Sequence, residues 1–367
     1  MGIIKKLAIF GRQATGKRRR RQEQSPQWKR GKFRNPQPMW NNLWGALVGL
    51  LKSNPHGRPH APVPVVTGHP ERFLSPPATG LRVTWLGHST ILIEIDGHRI
   101  LTDPMWGRHA SPFSLTSLER FFPPPLALES LPQIDAVVIS HDHYDHLDHR
   151  TILAMKDWST TFIVPLGLGA HLVHWGVPEA RIVELDWWEQ AQVRGLKIVS
   201  TPARHASGRH LLDQNKKLWS GYAFIGEHHR VYFSGDTGML PAFHDIGMKL
   251  GPFDLSMIEV GAYSRNWPDW HLGPELAVAA HLATRGRVLL PIHWGLFNMA
   301  PHGWTEPIER TLAAAKENAV TVVTPMPGES FEPETHLPHV RWWPDLPWRT
   351  GMEDPIIPTT TGPSKTN

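Results

Sequence analysis

From Leu81 onward the chain alternates short apolar runs with turn residues. The runs LRVTWLG, TILIEIDG and RILTDP are rich in β-branched residues and keep the two-residue period of strands. Asp96-Gly97 between the last two is a hairpin signal, so the three predict a meander. Ile134 to Ser140 predicts the next strand, and HDHYDHLD follows it at 141–148. Further apolar runs predict strands at 161–164, 181–184, 197–200, 219–225, 230–234, 254–259, 287–292 and 319–324. Helical texture predicts helices near 148–156, 167–175, 273–285 and 305–317. The helix at 273 has Pro274 near its start and an apolar stripe of Leu276, Ala279, Ala280 and Ala283. Strands outnumber helices, and the helices fall between groups of strands. That pattern predicts an α+β fold with two central sheets and helices outside. No repeat with a period of 20 to 50 residues stands out.

Upstream of Leu81 the texture differs. Residues 1–38 read as a basic, poorly folded arm, either solvated or held electrostatically at anionic lipid. MWNNLWGALVGLL, at 39–51, is a short amphipathic run with two tryptophans. It suits either a helix covering the core or one lying at a membrane interface. Residues 54–80 are rich in Pro, Gly and His and read as a linker that wraps the surface. The expected organisation is therefore an arm at 1–38 and a helix with linker packed on the body at 39–80. The main domain follows at 81–345, and a C-terminal tail at 346–367.

With 367 residues, 40% hydrophobic and 19% charged, the chain has enough apolar content for a sizeable core. The net charge of +5 hides an asymmetry. Residues 1–34 hold twelve of the 38 Lys and Arg and one of the 33 acids, Glu23. The rest of the chain, 26 bases against 32 acids, is negative. A negative body argues against a nucleic-acid track on the folded domain, so no nucleic-acid partner is expected. There are no cysteines, which excludes disulfides and thiolate metal sites. Any metal must be held by Asp, Glu or the 23 histidines.

No run reaches the roughly 20 apolar residues a spanning helix needs. The apolar patch Leu7 to Phe10 is too short for a secretory signal. Met1-Gly2 is not followed by Ser or Thr at position 6, where Lys6 stands, so a myristoylation signal is not matched. The expected location is cytoplasmic, with the arm as a candidate contact to the inner face of a membrane.

The candidate chemistry centres on HDHYDHLD, which sits where a buried strand gives way to a helix. Ligands gather at such carboxyl ends of strands. In extended backbone His141 and His143 point the same way and can grip one ion. Asp145 and His146 follow after the chain turns and reach a second point. Imidazole and carboxylate suit zinc, and a catalytic zinc keeps one position open for water. A run this dense is costly to desolvate unless something binds it. Four more predicted strands end in candidates: His205, Asp236, His293 and Asp103. A lone histidine at a strand end is ordinary; several together with the knot fit one site built from many strand ends. The count suits two ions, His141, His143 and His205 holding one, Asp145, His146 and His293 the other, and Asp236 bridging. Such a pair activates a water near neutral pH and clamps both oxygens of a displacement.

HDHYDHLD with His205, Asp236 and His293 downstream resembles the metallo-β-lactamase superfamily. Neighbouring words narrow the resemblance: FRNPQPMW, WLGHSTILIEIDGHRILTDP, PARHASGR, SGDTG, GAYSRNW, HLGPELAV and PIHWG. They are similar to the family of N-acyl-phosphatidylethanolamine-hydrolysing phospholipases D, from about residue 33 to about 330. The sequence departs from that family at Asp142 and in the segment after His205. The resemblance implies a four-layer αβ/βα sandwich and two zinc ions held by the seven ligands just named, with Asp145 also counted as catalytic. Iron or manganese are lesser choices; the related iron branch prefers a carboxylate where this chain has His143. It implies that His271, in WHLGPEL, lies by the substrate phosphate; either His271 or a metal-bound water would assist the leaving group. Tyr263 and Arg265 would steady an anionic head group, and Asp103 and His88 would stand behind the ligands. Gly235 and Gly238 would allow a tight loop around Asp236.

The implied reaction takes N-acyl-phosphatidylethanolamine to N-acylethanolamine and phosphatidic acid. A lactonase, or a hydrolase of sugar phosphates or cyclic phosphodiesters, shares the same core. A lipid- or nucleic-acid-binding module with structural metal is the alternative of another class. A structural zinc would be closed by four ligands, however, and would need no second ion.

Overall fold

In the computed structural model, residues 8–42, 44–45, 54–114 and 118–359 are described. The N-terminal segment is not the poorly folded arm its charge suggests. Helix α1 (Gly16–Gln24) leads into a hairpin of β1 (Trp28–Lys29) and β2 (Lys32–Phe33). The physical reason is complementary charge with a small apolar anchor. Arg18 pairs with Glu184 at 2.6 Å and Glu179 at 2.9 Å, and Arg21 pairs with Glu189 at 2.5 Å. Gln22 is buried and donates to the Lys216 carbonyl, while Phe33 packs against Leu166, Leu218 and Trp219. The body's excess of carboxylates therefore engages part of the arm's positive charge. The expected amphipathic helix at 39–51 falls largely on residues 43 and 46–53, which lie outside the described residues.

The first sheet carries β3 (Leu81–Trp85), β4 (Ile91–Ile95), β5 (His98–Thr102), β6 (Ala136–Val138), β7 (Thr161–Pro165) and β8 (Ile182–Leu185). Strands β3 to β5 form the expected antiparallel meander, and β6 to β8 continue it in parallel. Helices α2 (His149–Met155) and α3 (Gly169–His174) lie in the connections. The second sheet carries β9 (Gln190–Val193), β10 (Leu196–Thr201), β11 (Gly221–Ile225), β12 (Arg230–Phe233), β13 (Phe253–Glu259), β14 (Gly286–Ile292) and β15 (Thr321–Val322). Here β9 to β12 are antiparallel and β13 to β15 parallel. Helices α4 (Ala242–Lys249), α5 (Pro274–Thr284) and α6 (Glu306–Glu317) connect its parallel half. Strand β16 (Ser330–Phe331) returns to the edge of the first sheet, antiparallel to β3.

Alternation along the strands builds the layers. Ile91, Ile93 and Ile95 join one core with Ile198, Phe224 and Val231 of the second sheet. Leu92, between them, faces the other way and packs with Ile152, Met155 and Leu172 of α2 and α3. Helices α4, α5 and α6 contribute Ile246, Val278 and Ile308 to the core on the second sheet's side. The outcome is helices, sheet, sheet, helices: a four-layer αβ/βα sandwich of the metallo-β-lactamase type. Sequence pattern missed α1, the first hairpin, β9, α4 and β16. Among the described residues no helix is long and apolar enough to cross a membrane.

Candidate metal centre

The knot begins just past β6. Asp148 caps α2 by accepting from the amides of Arg150 and Thr151, which ends the knot where the sequence places the helix start. His141 Nε2 and His143 Nδ1 lie 2.8 Å apart, and His205 Nε2, beyond β10, lies 3.3 Å from the same His143 nitrogen. A second group forms beside it. Asp145 Oδ2 lies 3.0 Å from His146 Nε2 and 3.3 Å from His293 Nε2, beyond β14. Asp236, beyond β12, joins the two. Its Oδ2 is 3.1 Å from both His146 and His293, and 3.8 Å from both His141 and His205. All seven expected ligands thus converge.

The groups fit metal on their own chemistry. Five imidazoles turn ring nitrogens into one space, and the buried Asp236 Oδ1 has no hydrogen-bond partner. Three nitrogens with an oxygen, and two nitrogens with two oxygens, are donor sets that suit zinc. Protonation divides them in the metal-free protein. Burial and neighbouring imidazoles hold His141 and His205 well below the usual histidine range. Burial also opposes charge on His293, but Asp236 and Asp145 outweigh it and push His293 up to about 10. His146, facing Asp236, Asp145 and Asp103, is likewise raised against its burial.

The ligands are backed by buried partners. His146 Nδ1 donates to Asp103 Oδ2 at 2.7 Å. That carboxylate also accepts from Ser140 Oγ at 2.6 Å and, through Oδ1, from the Ser140 amide at 2.7 Å. His88 Nε2 lies 2.8 Å from Asp145 Oδ2. His205 Nδ1 donates to the Trp270 carbonyl at 2.9 Å. Such partners fix which ring nitrogen faces the ion. Asp103, His88 and His293 all have positive φ, a conformation that bulky residues hold only when the surroundings impose it. At Gly235, with φ of 56°, a Cβ would lie 2.7 Å from that of Ser140. At Gly238 it would meet the Asp269 carbonyl at 2.0 Å, so the Asp236 loop needs both glycines.

His271 stands at the rim, half-buried, with its ring 5.1 Å from that of His205 and 5.3 Å from that of His293. Its Nδ1 lies 2.7 Å from Glu259 Oε2. Glu259 closes β13 and is fully buried; burial raises its carboxyl above the ordinary range against the pull of His271. Sequence pattern missed Glu259, because an acid ending the run DLSMIE reads as an ordinary turn residue. Tyr263 departs from expectation: it is buried and its hydroxyl donates to Glu306 Oε1 at 2.8 Å, so the phenol is not offered to a head group. Arg265 pairs with Asp354, which Arg349 also meets, and both arginines line a cavity of about 380 Å³ with His302.

Asp142, the departure within the knot, faces away from the converging donors. It accepts from the Gly208 amide at 2.7 Å and lies 3.2 Å from His171 Nε2. Arg209 donates to the carbonyls of Asp142 and Leu147, and to that of Ile9 in the N-terminal segment. Asp142 thus ties the knot to Gly208 and His171 rather than joining the converging donors. Asp142, His171 and Asp213 come together as a further group, but Lys217 supplies the cation there, 2.9 Å from Asp213.

Comparison with known proteins gives the same picture. A β-lactamase superfamily domain matches residues 98–294. An uncharacterised protein of Mycobacterium tuberculosis is 47% identical over 331 residues, 88% of each chain. An N-acyl-phosphatidylethanolamine-hydrolysing phospholipase D of Caenorhabditis elegans is 41% identical over 240 residues, 62% of this chain and 67% of the relative. A solved metallo hydrolase from the archaeon Ignicoccus hospitalis shares the fold, with a TM-score of 0.54 and 24% identity over 69% of this chain and 98% of that one.

Proposed function

This chain belongs to the β-lactamase superfamily of metal-dependent hydrolases, and from that premise we propose that it cleaves a phosphodiester, with N-acyl-phosphatidylethanolamine as its substrate. The observation that carries the reading is Asp236 Oδ2, set 3.1 Å from two imidazoles of one group and 3.8 Å from two of the other. One carboxylate oxygen shared in this way suits a pair of cations, and the C. elegans relative supports the lipid substrate. Two zinc ions there would activate a water and neutralise charge on the phosphoryl oxygens. His141, His143 and His205 are assigned to one ion, Asp145, His146 and His293 to the other. Asp103 and His88 keep His146 and Asp145 facing inward. His271, with Nδ1 3.9 Å from Asp236 Oδ2 at the rim, is assigned to carry a proton to the leaving oxygen. Arg265, with Arg349, is assigned to an anionic head group at the cavity they line.

The test is direct. Zinc-loaded protein is incubated with N-acyl-phosphatidylethanolamine and phosphatidic acid is measured, with metal per chain counted by elemental analysis. Two metals and phosphatidic acid are expected. Two metals with turnover only of a lactone or a cyclic phosphodiester would move the assignment to those substrates. One metal or none would favour a binding module. Arg12, Lys17 and Arg20 remain exposed on the N-terminal segment and are proposed to meet anionic lipid. Vesicle flotation that is unchanged by their replacement with alanine would remove that contact.

A further inference from the structure

Glu259 ties together three parts of the site, and nothing in the reading above uses it. Its Oε1 accepts from the amide of Thr237, next to Asp236, at 2.7 Å, and from the amide of Leu272 at 3.2 Å. Its Oε2 meets His271 Nδ1 at 2.7 Å, with His293 Nδ1 farther off at 3.8 Å. With both backbone amides on one oxygen, the other can receive only a donor. A carboxylate accepts and the imidazole must give, so the ring proton sits on Nδ1 and Nε2 is the nitrogen left for the substrate. His271 follows a loop rather than a strand end, and its neighbour Trp270 is tied through its carbonyl to His205. The rings of His205 and His293 fix the plane of His271, and the bond to Glu259 sets which nitrogen lies inside.

We propose that Glu259 is a positioning residue that fixes the tautomer and facing of His271, so that a bare Nε2 takes the proton the attacking water gives up and passes it to the leaving oxygen. This rests on the assignment of His271 to the leaving oxygen. It goes beyond that assignment in naming the group that makes it possible.

Glu259→Gln separates orientation from folding. Its amide oxygen can keep the two backbone amides, but its NH2 then faces His271 Nδ1. The ring must accept there and carry its proton on Nε2. A positioned acid or base typically contributes 10²–10⁴-fold, so kcat of the zinc-loaded variant is expected to fall about a hundredfold, with KM within about twofold. Metal content should stay at the wild-type level. Glu259→Gln combined with His271→Ala should be no slower than His271→Ala alone, since the glutamate acts through the histidine. Glu259→Asp keeps an acceptor and should recover at least about tenfold of the lost rate.

Long-range proton–nitrogen NMR, with His271 assigned by difference against His271→Ala, reads the tautomer without any substrate. The Nδ1–H form is expected in the wild type and the Nε2–H form in Glu259→Gln. The same tautomer in both, loss of metal from Glu259→Gln, or an additive double variant would overturn the proposal. If the lipid is not a substrate, turnover is absent throughout while the NMR result still decides the role of Glu259.

Discussion

The two seven-stranded sheets share one wiring but load their equivalent strand ends differently. In each, three antiparallel strands run into three parallel ones, with one more antiparallel strand at the edge. Strand β3 therefore corresponds to β10, and β5 to β12. The first pair leads to His88 and His205, the second to Asp103 and Asp236. His205 and Asp236 face the shared space, whereas His88 and Asp103 reach Asp145 and His146 from behind. The knot after β6 makes the difference. It puts Asp145 and His146 between the first sheet's strand ends and the shared space, so those ends back the candidate ligands instead of joining them. Equivalent backbone positions thus favour the same residue types, and what stands in front decides their use.

The largest contrast is expected between the two aspartates. Asp236→Ala removes the oxygen common to both groups. Turnover should drop more than about a hundredfold, beyond the 10–100-fold usual for a partner behind a ligand, and metal should fall below two per chain. A variant retaining both metals at wild-type affinity would break the comparison. Asp103→Asn should lower metal affinity by about 10–100-fold, read by competition with a chelator, while saturating metal still fills the site. Equal losses at the two positions would make the halves functionally alike.

Acidity sharpens the same contrast. His293, raised to about 10, and His146, also raised, must shed protons before ligation; His141 and His205 are already neutral at pH 7. A raised imidazole is charged below its folded pKa, so metal affinity should climb between about pH 7 and 10, about tenfold per pH unit for each proton released. Calorimetry in buffers of different ionisation heat counts those protons, and flat affinity across that window would contradict the division. His88→Gln should cost about tenfold in metal affinity, against complete loss of one group's grip for His205→Ala. The smallest effect belongs to Ser140→Ala. It removes the 2.6 Å bond to Asp103 and should lower stability by about 1–2 kcal/mol in thermal unfolding of the metal-free protein.

Legibility was uneven for physical reasons. The strands with β-branched runs, and α5 and α6 with Pro near the start, were readable because burial imposes a period. Helix α1 was not: GKRRRRQEQ has no apolar face, and it is held by Glu184, Glu179 and Glu189 from another part of the chain. The seven candidate ligands were readable because imidazoles and carboxylates ending apolar strands are chemically conspicuous. Glu259 was not, because only contact with His271 and the Thr237 amide distinguishes it from any other acid at a strand end. Tyr263 misled for the converse reason: its partner, Glu306, is 43 residues away.

The amino-acid order alone determined most strands and helices of the body, the α+β class and the list of candidate donors, since hydrophobic period and side-chain chemistry are local properties. Only the folded chain decided which donors converge and which stand behind them, where the basic segment lies and that Glu259 meets His271. Those depend on distances between residues far apart in sequence, which close packing of two sheets fixes and no local pattern encodes.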